Sequence, residues 1–418
     1  MSEVLTVPER WAVRRINDIG EVITGTTPST NVEEYYNGNI PFIGPVDFHG
    51  QVYISNTEKT VSKSGLEQSR EIPPNSILTV CIGSTIGKIA LTTKASCTNQ
   101  QINSLICKST YDYKFVFYAM KQYLLKQLNV ESGLQAVPLV NKTSFSKLLL
   151  PCPNAKEEQQ KIAKILSTLD SAIEASQKLI AKEKNIKKGL MHDLLTNGID
   201  ENGTIRSPKT HQYKESELGL IPEEWEVKEL QDLGEYKNGL TYSPTDITDE
   251  NGILVLRASN IKDSKLNFND NVFVRNDIRL NYRVQKGDIL ICVRNGSKNL
   301  IGKNALITSE AVGMAHGAFM TVFHSKNYDY VFQLFQSDMF FQQVEKNLGA
   351  TINSINNSDL ILFKFPFPKK EQEQQKITNI LTAQDKKIQT EEKNLEKLKE
   401  LKKGLMHDLL SGKVRVKV

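Results

Sequence analysis

Hydrophobic and polar positions follow one pattern that appears twice in this chain. Leucine and isoleucine recur in steps of three, four and seven along two highly charged stretches of about 40 residues. A stripe this narrow predicts a long amphipathic helix that packs on another helix, because one small domain cannot cover it. The predicted pairing positions are Leu166, Leu169, Ile173, Ile180 and Leu190 in the first stretch, and Leu381, Ile388, Leu395, Leu398 and Leu405 in the second.

The second stretch also repeats the first in sequence. Residues 153–195 reappear as 368–410 without a gap, and Lys187–Leu195 recurs unchanged as Lys402–Leu410. Weaker matches continue upstream, where Trp11 corresponds to Trp225, so the whole chain is interpreted as a tandem duplication. The predicted divisions are a first globular domain at 1–152, a first spacer helix at 153–198, a linker at 199–221, a second globular domain at 222–367 and a second spacer helix at 368–414.

The chain connectivity predicts that the two helices run antiparallel. The first helix leads away from the first domain, and the second starts at the second domain, so pairing requires opposite directions. A rise of about 1.5 Å per residue makes each helix a rod of about 60 Å. Charge spacing predicts exposed ion pairs between Glu174 and Lys178 and between Glu183 and Lys187. The predicted helix ends are Asn154 as a cap, and Gly198 and Gly412 as stops.

Each globular half mixes short apolar runs with one helical stretch, which predicts an α/β fold. Loops rich in Thr, Ser, Gly, Asn and Lys connect these elements. In the first half the predicted strands are 77–82, 88–91, 102–107 and 148–150, with a helix at 115–128. In the second half they are 253–257, 288–293, 305–307 and 320–323, with a helix near 330–347.

Composition adds little to this picture. The 53 Lys and Arg exceed the 48 Asp and Glu by five, which permits a polyanionic partner without establishing one. The longest apolar runs are strand-sized, so no membrane span is predicted. The five cysteines are odd in number and lack paired CxxC spacing, so they are interpreted as buried thiols of a reducing cytoplasm. They are Cys81, Cys97, Cys107, Cys152 and Cys292.

Motifs for catalysis are weak. The run from Gly83 to Lys88 resembles a phosphate-binding loop, but its glycines are too close and Ile89 follows the lysine, which favours a tight turn between strands. His192-Asp193 and His407-Asp408 are interpreted as solvated or packed helix positions. We find no aminomethyltransferase tetrad, motor motif or nuclease cluster, and this favours a binding protein.

The full set of repeated motifs resembles the specificity subunit of type I restriction–modification systems, over essentially the whole chain. The motifs that carry the resemblance are Pro-Glu-Arg-Trp (8–11), Leu-Gly-Leu-Ile-Pro-Glu-Glu-Trp (218–225), the Glu-Gln-Gln-Lys-Ile runs at 158–162 and 373–377, and the repeated Lys-Lys-Gly-Leu-Met-His-Asp-Leu-Leu. The resemblance implies two α/β target-recognition domains separated by two long antiparallel coiled-coil helices, as a pseudo-twofold tandem repeat. The second half departs from the family pattern at one place. It has His316-Gly317 at the position interpreted as the counterpart of Asn99-Gln100, where the family often keeps Asn-Gln.

The resemblance also implies partners. Each domain would read one half of a bipartite, asymmetric site in double-stranded DNA, and the helices would act as a ruler. Two methyltransferase subunits would dock on the helices and supply S-adenosylmethionine, so this chain itself would be a non-catalytic cytoplasmic protein without a bound cofactor. Translocating restriction subunits are further candidate partners.

Loop residues with paired donors and acceptors, or with positive charge, are the candidate DNA contacts. They are Thr26, Ser29, Lys63, Arg70, Ser84, Lys88 and Gln100 in the first domain, and Tyr242, Arg257, Asn260, Arg275, Arg294, Asn295, Lys298 and Lys303 in the second. Two other hypotheses stay open at this point. One is a scaffold that bridges two protein-binding domains without nucleic acid, and the other is a nucleotide-dependent enzyme that uses the loop at Gly83.

Overall fold

The computed structural model describes residues 7–132, 137–280, 282–348 and 353–417. The chain forms two compact units. The first comprises Met1–Leu179 and Glu391–Val418, and the second comprises Ile180–Thr390. Both divisions fall inside the long helices, so each unit contains one globular domain and one half of each helix.

The first domain is an α/β structure, as predicted. Its strands are β1 (Trp11–Arg15), β2 (Gly20–Thr24), β3 (Tyr36–Ile43), β4 (Tyr53–Ile54), β5 (Lys59–Val61), β6 (Ile77–Val80), β7 (Ile89–Thr92), β8 (Cys97–Thr98), β9 (Ile102–Cys107) and β10 (Leu149–Pro153). Its helices are α1 (Ile16–Ile19), α2 (Lys63–Glu67), α3 (Tyr113–Ser132) and α4 (Lys142–Lys147). Short 3-10 turns occupy Glu33–Tyr35 and Pro45–Asp47.

A five-stranded sheet in the order β2-β9-β6-β7-β4 forms the centre of this domain. Strand side chains alternate between its faces, so both faces can be apolar. Ile77 packs in the core that contains α3, whereas Leu78 and Val80 pack in a separate core on the other face. A smaller sheet, β5-β3-β8, and the antiparallel pair β1-β10 complete the domain.

The second domain repeats this plan. Its strands are β11 (Tyr213–Ser216), β12 (Gly219–Pro222), β13 (Trp225–Glu229), β14 (Glu235–Asn238), β15 (Ile247–Thr248), β16 (Ile253–Leu256), β17 (Ile261–Lys262), β18 (Lys265–Leu266), β19 (Phe273–Val274), β20 (Ile289–Cys292), β21 (Asn304–Leu306), β22 (Ala315–His316), β23 (Met320–His324) and β24 (Lys364–Pro368). Its helices are α6 (Leu230–Leu233), α7 (Tyr328–Phe335), α8 (Asp338–Asn347) and α9 (Asn357–Leu360). The sheet β14-β23-β20-β21 corresponds to β2-β9-β6-β7 of the first domain.

The helix predicted near 330–347 is wrong as a single element. It is two helices, α7 and α8, that meet at Gln336 and Ser337. Ser337 has extended backbone angles, and its hydroxyl accepts a hydrogen bond from the backbone N–H of Phe340, so it caps the start of α8. Apolar residues continue on both sides of the break, and the hydrophobic pattern therefore does not reveal it.

The long helices are α5 (Lys156–Thr196) and α10 (Glu371–Leu410), and their halves pair antiparallel within each unit. In the first unit, Ile162 and Leu166 near the start of α5 share a core with Leu409 and Leu410 at the end of α10. In the second unit, Leu195 near the end of α5 shares a core with residues at the start of α10. All ten predicted pairing positions are buried or half-buried.

The helix ends agree only in part with the expectations. Gly198 and Gly412 follow the helices with positive φ angles of 65° and 71°, as helix stops do. The predicted cap is wrong, because α5 begins at Lys156 and the carbonyl of Ala155 accepts the N–H of Gln159 at 3.4 Å, which makes Ala155 the cap residue. Asn154 Oδ1 instead accepts a hydrogen bond from Arg14 at 3.3 Å.

One predicted ion pair on the helices is correct and the other is wrong. Glu174 and Lys178 are 2.6 Å apart, as expected. Glu183 is almost fully buried and pairs with Lys387 of the facing helix rather than with Lys187. Where the two helices face each other, an ion pair between the helices therefore forms in place of the predicted pair within one helix.

The segment interpreted as a linker, 199–221, contains regular structure. It includes β11 and part of β12, which form an antiparallel hairpin. It also carries Arg206, whose side chain is only 6% exposed. In the parts of the chain that the structure describes, we find no helix both long and apolar enough to cross a membrane.

Candidate nucleic-acid interface

Three loop segments meet at one edge of the first domain: 81–88 after β6, 99–101 before β9, and 137–140 before α4. The backbone N–H of Cys81 donates to the carbonyl of Gln101 at 2.8 Å. Gly83 donates to Pro138, and Val140 donates back to Cys81, both at 2.9 Å. Because the backbone of each segment is tied to another, the side chains of this first edge stand on a fixed frame.

The second domain builds the same edge from 293–303, 317–319 and 353–355. Val293 donates to the carbonyl of Phe319 at 3.0 Å, and Ile355 donates back to Val293 at 2.9 Å. Asn295 donates to the carbonyl of Asn353 at 3.2 Å. The two domains therefore share one backbone frame and differ in the side chains that it presents.

The frame corrects the predicted match between the halves. Asn99 donates its N–H to Ile43, and Gly317 donates to the corresponding residue of β16, Leu256. His316-Gly317 therefore corresponds to Thr98-Asn99, one position earlier than the sequence comparison predicted. Buried His316 contacts the carbonyl of Lys237 through Nε2 at 3.0 Å, and burial lowers its pKa, which favours a neutral imidazole.

Seven of the fifteen candidate DNA contacts lie on these edges. On the first edge they are Ser84, Lys88 and Gln100, and on the second they are Arg294, Asn295, Lys298 and Lys303. Thr26 and Arg70 border the first edge, since Thr27 donates to Gln100 at 2.7 Å and Arg70 donates to the carbonyl of Thr24 at 2.8 Å. The remaining candidates in exposed or half-exposed positions are Ser29, Lys63, Tyr242, Arg257 and Arg275.

Asn260 differs from the other candidates because it is fully buried. Its Nδ2 donates to the carbonyls of Asn267 and Asp270, both at 3.1 Å, and its Oδ1 accepts from the N–H of Arg257 at 2.9 Å. These hydrogen bonds occupy the whole amide group and stabilise the β17–β18 region. Asn260 is therefore not one of the proposed DNA contacts.

The loop at Gly83 is a turn between β6 and β7, as expected, and its lysine has a structural contact. Lys88 Nζ donates to the carbonyl of Phe48 at 2.9 Å. Lys303 repeats this contact with the carbonyl of Ala258 at 3.2 Å. Each lysine thus ties its turn to a neighbouring 3-10 turn, and the charge stays near the edge.

Sequence inspection missed an exposed aromatic side chain on the second edge. Phe319 is 58% exposed, and the guanidinium of Arg294 lies 5.9 Å from its ring centroid. Gln101 takes the corresponding place on the first edge. A large exposed phenylalanine between polar loops suits contact with a nucleic-acid base. The signal was present in Gly-Ala-Phe-Met, but an apolar run gives no indication of which side chain turns outward.

A repeated cluster beneath the domains was also missed. Trp11 Nε1 donates to Glu158 at 3.3 Å, and Arg415 donates to the same carboxylate through Nε at 2.8 Å. In the second unit, Trp225 Nε1 donates to Glu373 at 3.1 Å. Arg206 Nη2 donates to that carboxylate at 3.2 Å. We call these the first and second Trp–Glu–Arg clusters, and they explain the Trp and the first Glu-Gln-Gln position of each repeat.

Buried thiols and exposed hydrogen-bond donors characterise the two edges. Burial raises the pKa of Cys81 to about 12 and that of Cys292 to about 11, so these thiols stay protonated and unreactive at neutral pH. Within the described ranges, no three His, Cys, Asp or Glu side chains form a group that could hold a metal ion. The edges instead offer guanidinium, ammonium, amide and hydroxyl donors.

Comparison with known proteins agrees with this description. The family model for the type I restriction modification DNA specificity domain matches residues 8–183 and 222–400, one match for each half. The chain belongs to this family. As a type I specificity subunit, it recognises DNA, and the scaffold hypothesis is not favoured.

Individual relatives show the same agreement. The chain is 30% identical to the type I restriction enzyme MjaVIII specificity subunit of Methanocaldococcus jannaschii over 99% of this chain and 95% of that protein. It is 35% identical over 176 residues to the HindI specificity subunit of Haemophilus influenzae, which covers 40% of this chain and 38% of that one. The crystal structure of an S subunit from M. genitalium has the same fold, with a TM-score of 0.62 at 16% identity over 98% of this chain and 97% of that one.

Proposed function

We propose that this specificity subunit reads a bipartite, asymmetric DNA site, with one half-site bound at each three-segment edge. The observation that carries the proposal is the common frame with different side chains. Phe319 and Arg294 stand on the second edge, where Gln101 and a shorter loop stand on the first. Two domains that share a backbone frame but present different side chains suit the recognition of two different half-sites.

The chain acts in this proposal as a binding subunit without catalysis or cofactor. Two methyltransferase subunits dock on α5 and α10 and supply S-adenosylmethionine, and restriction subunits join that assembly. The buried thiols of Cys81 and Cys292 and the hydrogen-bond donors of the edges support this division of work. Purified chain should neither methylate nor cleave DNA, and addition of the methyltransferase subunit should give methylation at one bipartite sequence.

The direct test uses variants of the second edge. Arg294→Ala should weaken binding of the assembled complex to its mapped site by about 5- to 150-fold, since loss of a base contact costs about 1–3 kcal/mol. Mapping methylated sites should then show relaxed preference in one half-site only. Lys209→Ala, an exposed change away from the edges, is the control. Relaxation of both half-sites, or of neither, would count against separate readers.

A salt series separates base contacts from phosphate contacts. Lys298→Ala should weaken binding equally for all sequences and reduce the slope of log affinity against log salt by about 1. Arg294→Ala should change sequence preference at every salt concentration. If binding shows no salt dependence at all, DNA recognition through these cationic edges is wrong.

The long helices set the gap between half-sites in this proposal. One heptad inserted between Leu179 and Ile180, with a second between Thr390 and Glu391, keeps the facing seams in register. The complex should then prefer a longer gap while both half-site sequences stay the same. A changed half-site sequence would contradict the separate roles of edges and helices.

A further inference from the structure

One ion pair between the long helices is the same in both units. Lys187 pairs with Asp385 at 2.7 Å in the second unit, and the equivalent residues, Lys402 and Asp170, pair in the first. Because the offset of 215 relates these residues, the two units align their helices in one antiparallel register. Any two helices of this repeat could form this ion pair, so it does not distinguish α5 from α10.

The contacts of Glu183 are specific to the second unit. Its side chain is only 5% exposed and lies against two polar residues of α10. The carboxylate accepts a hydrogen bond from Gln384 Nε2 at 2.7 Å and pairs with Lys387 Nζ at 2.8 Å. Gln384 Nε2 also donates to the backbone carbonyl of Glu183 at 3.1 Å. The second unit therefore buries a carboxylate between its helices, and α10 supplies the groups that satisfy it.

The first unit has apolar residues at all three equivalent positions. Leu398 takes the place of Glu183, and Leu169 and Ala172 of α5 take the places of its two partners. All three apolar residues are half-buried. Each unit is thus matched within itself: polar residues face each other in one and apolar residues in the other.

Pairing of two identical helices would break this match. If α5 paired with α5 of a second copy of the chain in the same register, Glu183 of each copy would face Leu169 and Ala172 of the other. Two buried carboxylates would then lack hydrogen-bond partners, and burial of an unpaired charge is costly. In a pair of two α10 helices, each Leu398 would face the polar residues that serve Glu183. That pairing would cost less, because those residues are half-buried or exposed and can still reach water.

We propose that Glu183 selects α10 as the partner of α5 and disfavours pairing of α5 with α5 of a second copy of the chain. A buried polar group in a helix pair specifies the partner when only one facing helix satisfies it. The consequence for DNA rests on the proposed function. A pair of α5 helices would join two copies of the first domain and give two identical half-sites, so the selection by Glu183 keeps the target asymmetric.

The first measurement reproduces the disfavoured contact inside the full-length chain. Gln384→Leu/Lys387→Ala gives Glu183 the surroundings that a second α5 would offer. It should lower the urea midpoint of the second unit, measured by Trp225 fluorescence in a Trp11→Phe background. Glu183→Leu should raise the midpoint in this double variant but not in the original chain, because the resulting triple variant restores a matched, apolar set. An equal change of midpoint in both backgrounds would overturn the inference.

The second measurement counts the pairings directly. A protease site inserted after Lys209, an exposed residue between α5 and β11, cuts the full-length chain into two pieces with one domain and one long helix each. The cut chain is unfolded and refolded, and native mass spectrometry counts pairs of like and unlike pieces. Random association gives about twofold more unlike pairs than pairs of the first piece. We expect an excess of at least tenfold for the original sequence and a return to the random ratio for the triple variant.

Lys187→Ala/Lys402→Ala is the matched control, because these lysines would form their ion pairs in every pairing. It should lower the stability of the cut chain and leave the ratio of pairs unchanged. A random ratio for the original sequence would overturn the inference, as would a triple variant that keeps the original ratio. If the pieces do not refold, the first measurement decides alone. Neither measurement uses DNA or a partner subunit, so the proposed function can fail while this inference stands, and the reverse.

Discussion

The two Trp–Glu–Arg clusters use the same three side chains and differ in enclosure. In the second cluster, Arg206 is 6% exposed and Glu373 is 7% exposed, and Glu224 adds a further ion pair at 2.7 Å. In the first cluster, Glu158 is buried but the side chain of Arg415 is 39% exposed. The second cluster is closed by Arg206, which follows α5, and the first by Arg415, which follows α10. The same chemistry should therefore contribute unequally to the two units.

The largest expected effect is on the closed cluster. Arg206→Ala leaves the Glu373 carboxylate buried without its charged partner, which should cost about 3–5 kcal/mol of unfolding free energy. The chain has two tryptophans, one in each cluster, so Trp225 fluorescence reports this unit in a Trp11→Phe background. Lys209→Ala in the same background is the control. A loss below about 1 kcal/mol would show that the enclosure does not matter.

Substitution of Gly198, the glycine that ends α5 beside the same cluster, should have the next largest effect on stability. A β-carbon at Gly198 would lie 2.3 Å from Glu373 Oε1 and 2.3 Å from Trp225, at a φ of 65°. Gly198→Ala should therefore cost about 2–3 kcal/mol, from overpacking and left-handed backbone together. Gly203→Ala is a matched control, because its φ is 83° but no atom lies within 4 Å. Equal losses for both variants would remove packing from the explanation.

The open cluster should respond less. Arg415→Ala removes charged hydrogen bonds to Glu158 at 2.8 and 3.0 Å, but water reaches this arginine and can replace part of them. We expect the unfolding free energy to fall by about 1–2 kcal/mol. The measurement is Trp11 fluorescence during urea unfolding in a Trp225→Phe background. A loss equal to that of Arg206→Ala would contradict the difference between the clusters.

The smallest effect concerns pH and belongs to the second unit. Hydrogen bonds from Lys387 and Gln384 lower the pKa of Glu183 from its ordinary 4.5. A lowered carboxyl pKa stabilises the folded chain above pH 4.5, and this contribution disappears as the pH falls through the lower folded value. Glu183→Gln should therefore flatten the acid limb of the stability profile, whereas Glu174→Gln, in an exposed pair, should leave it unchanged. If Glu183→Gln leaves the pH dependence of stability unchanged, the loss of stability in acid comes from other carboxyl groups.

The first unit offers the matching test of that pair. The repeat places Leu398 where the second unit has Glu183, and Ala172 where it has Lys387. Two apolar residues thus occupy the positions that hold an ion pair in the second unit. The acid sensitivity attributed to Glu183 should appear in the Trp225 signal and be absent from the Trp11 signal.

The parts of the fold that the sequence predicts are those set by local pattern. A stripe of Leu and Ile predicted the helices and the positions that become buried, and the chain connectivity predicted their antiparallel pairing. The repeat predicted two domains of one plan. These predictions succeed because burial of one helix face depends on spacing, which is visible along the chain.

The parts that could not be predicted depend on long-range contacts. Arg206 and Arg415 are 209 positions apart, whereas the helices repeat at an offset of 215, because extra residues form a hairpin after α5. The sequence comparison therefore does not align them, although both bind the corresponding glutamate. The outward turn of Phe319 and the burial of Asn260 also depend on loops that meet only in the folded domain. The spacing of residues along the sequence does not indicate which loops come into contact in the folded domain.

The open cluster joins distant parts of the polypeptide, since Arg415 contacts Glu158 and also donates to the carbonyl of Glu9 at 3.0 Å, 406 positions away. During synthesis the ribosome makes Arg415 only after the whole of Ile180–Thr390. The first domain therefore cannot complete this cluster until Arg415 has left the exit tunnel, whereas the second unit, Ile180–Thr390, can finish earlier. Of the two domains, the one that is translated first is thus completed second.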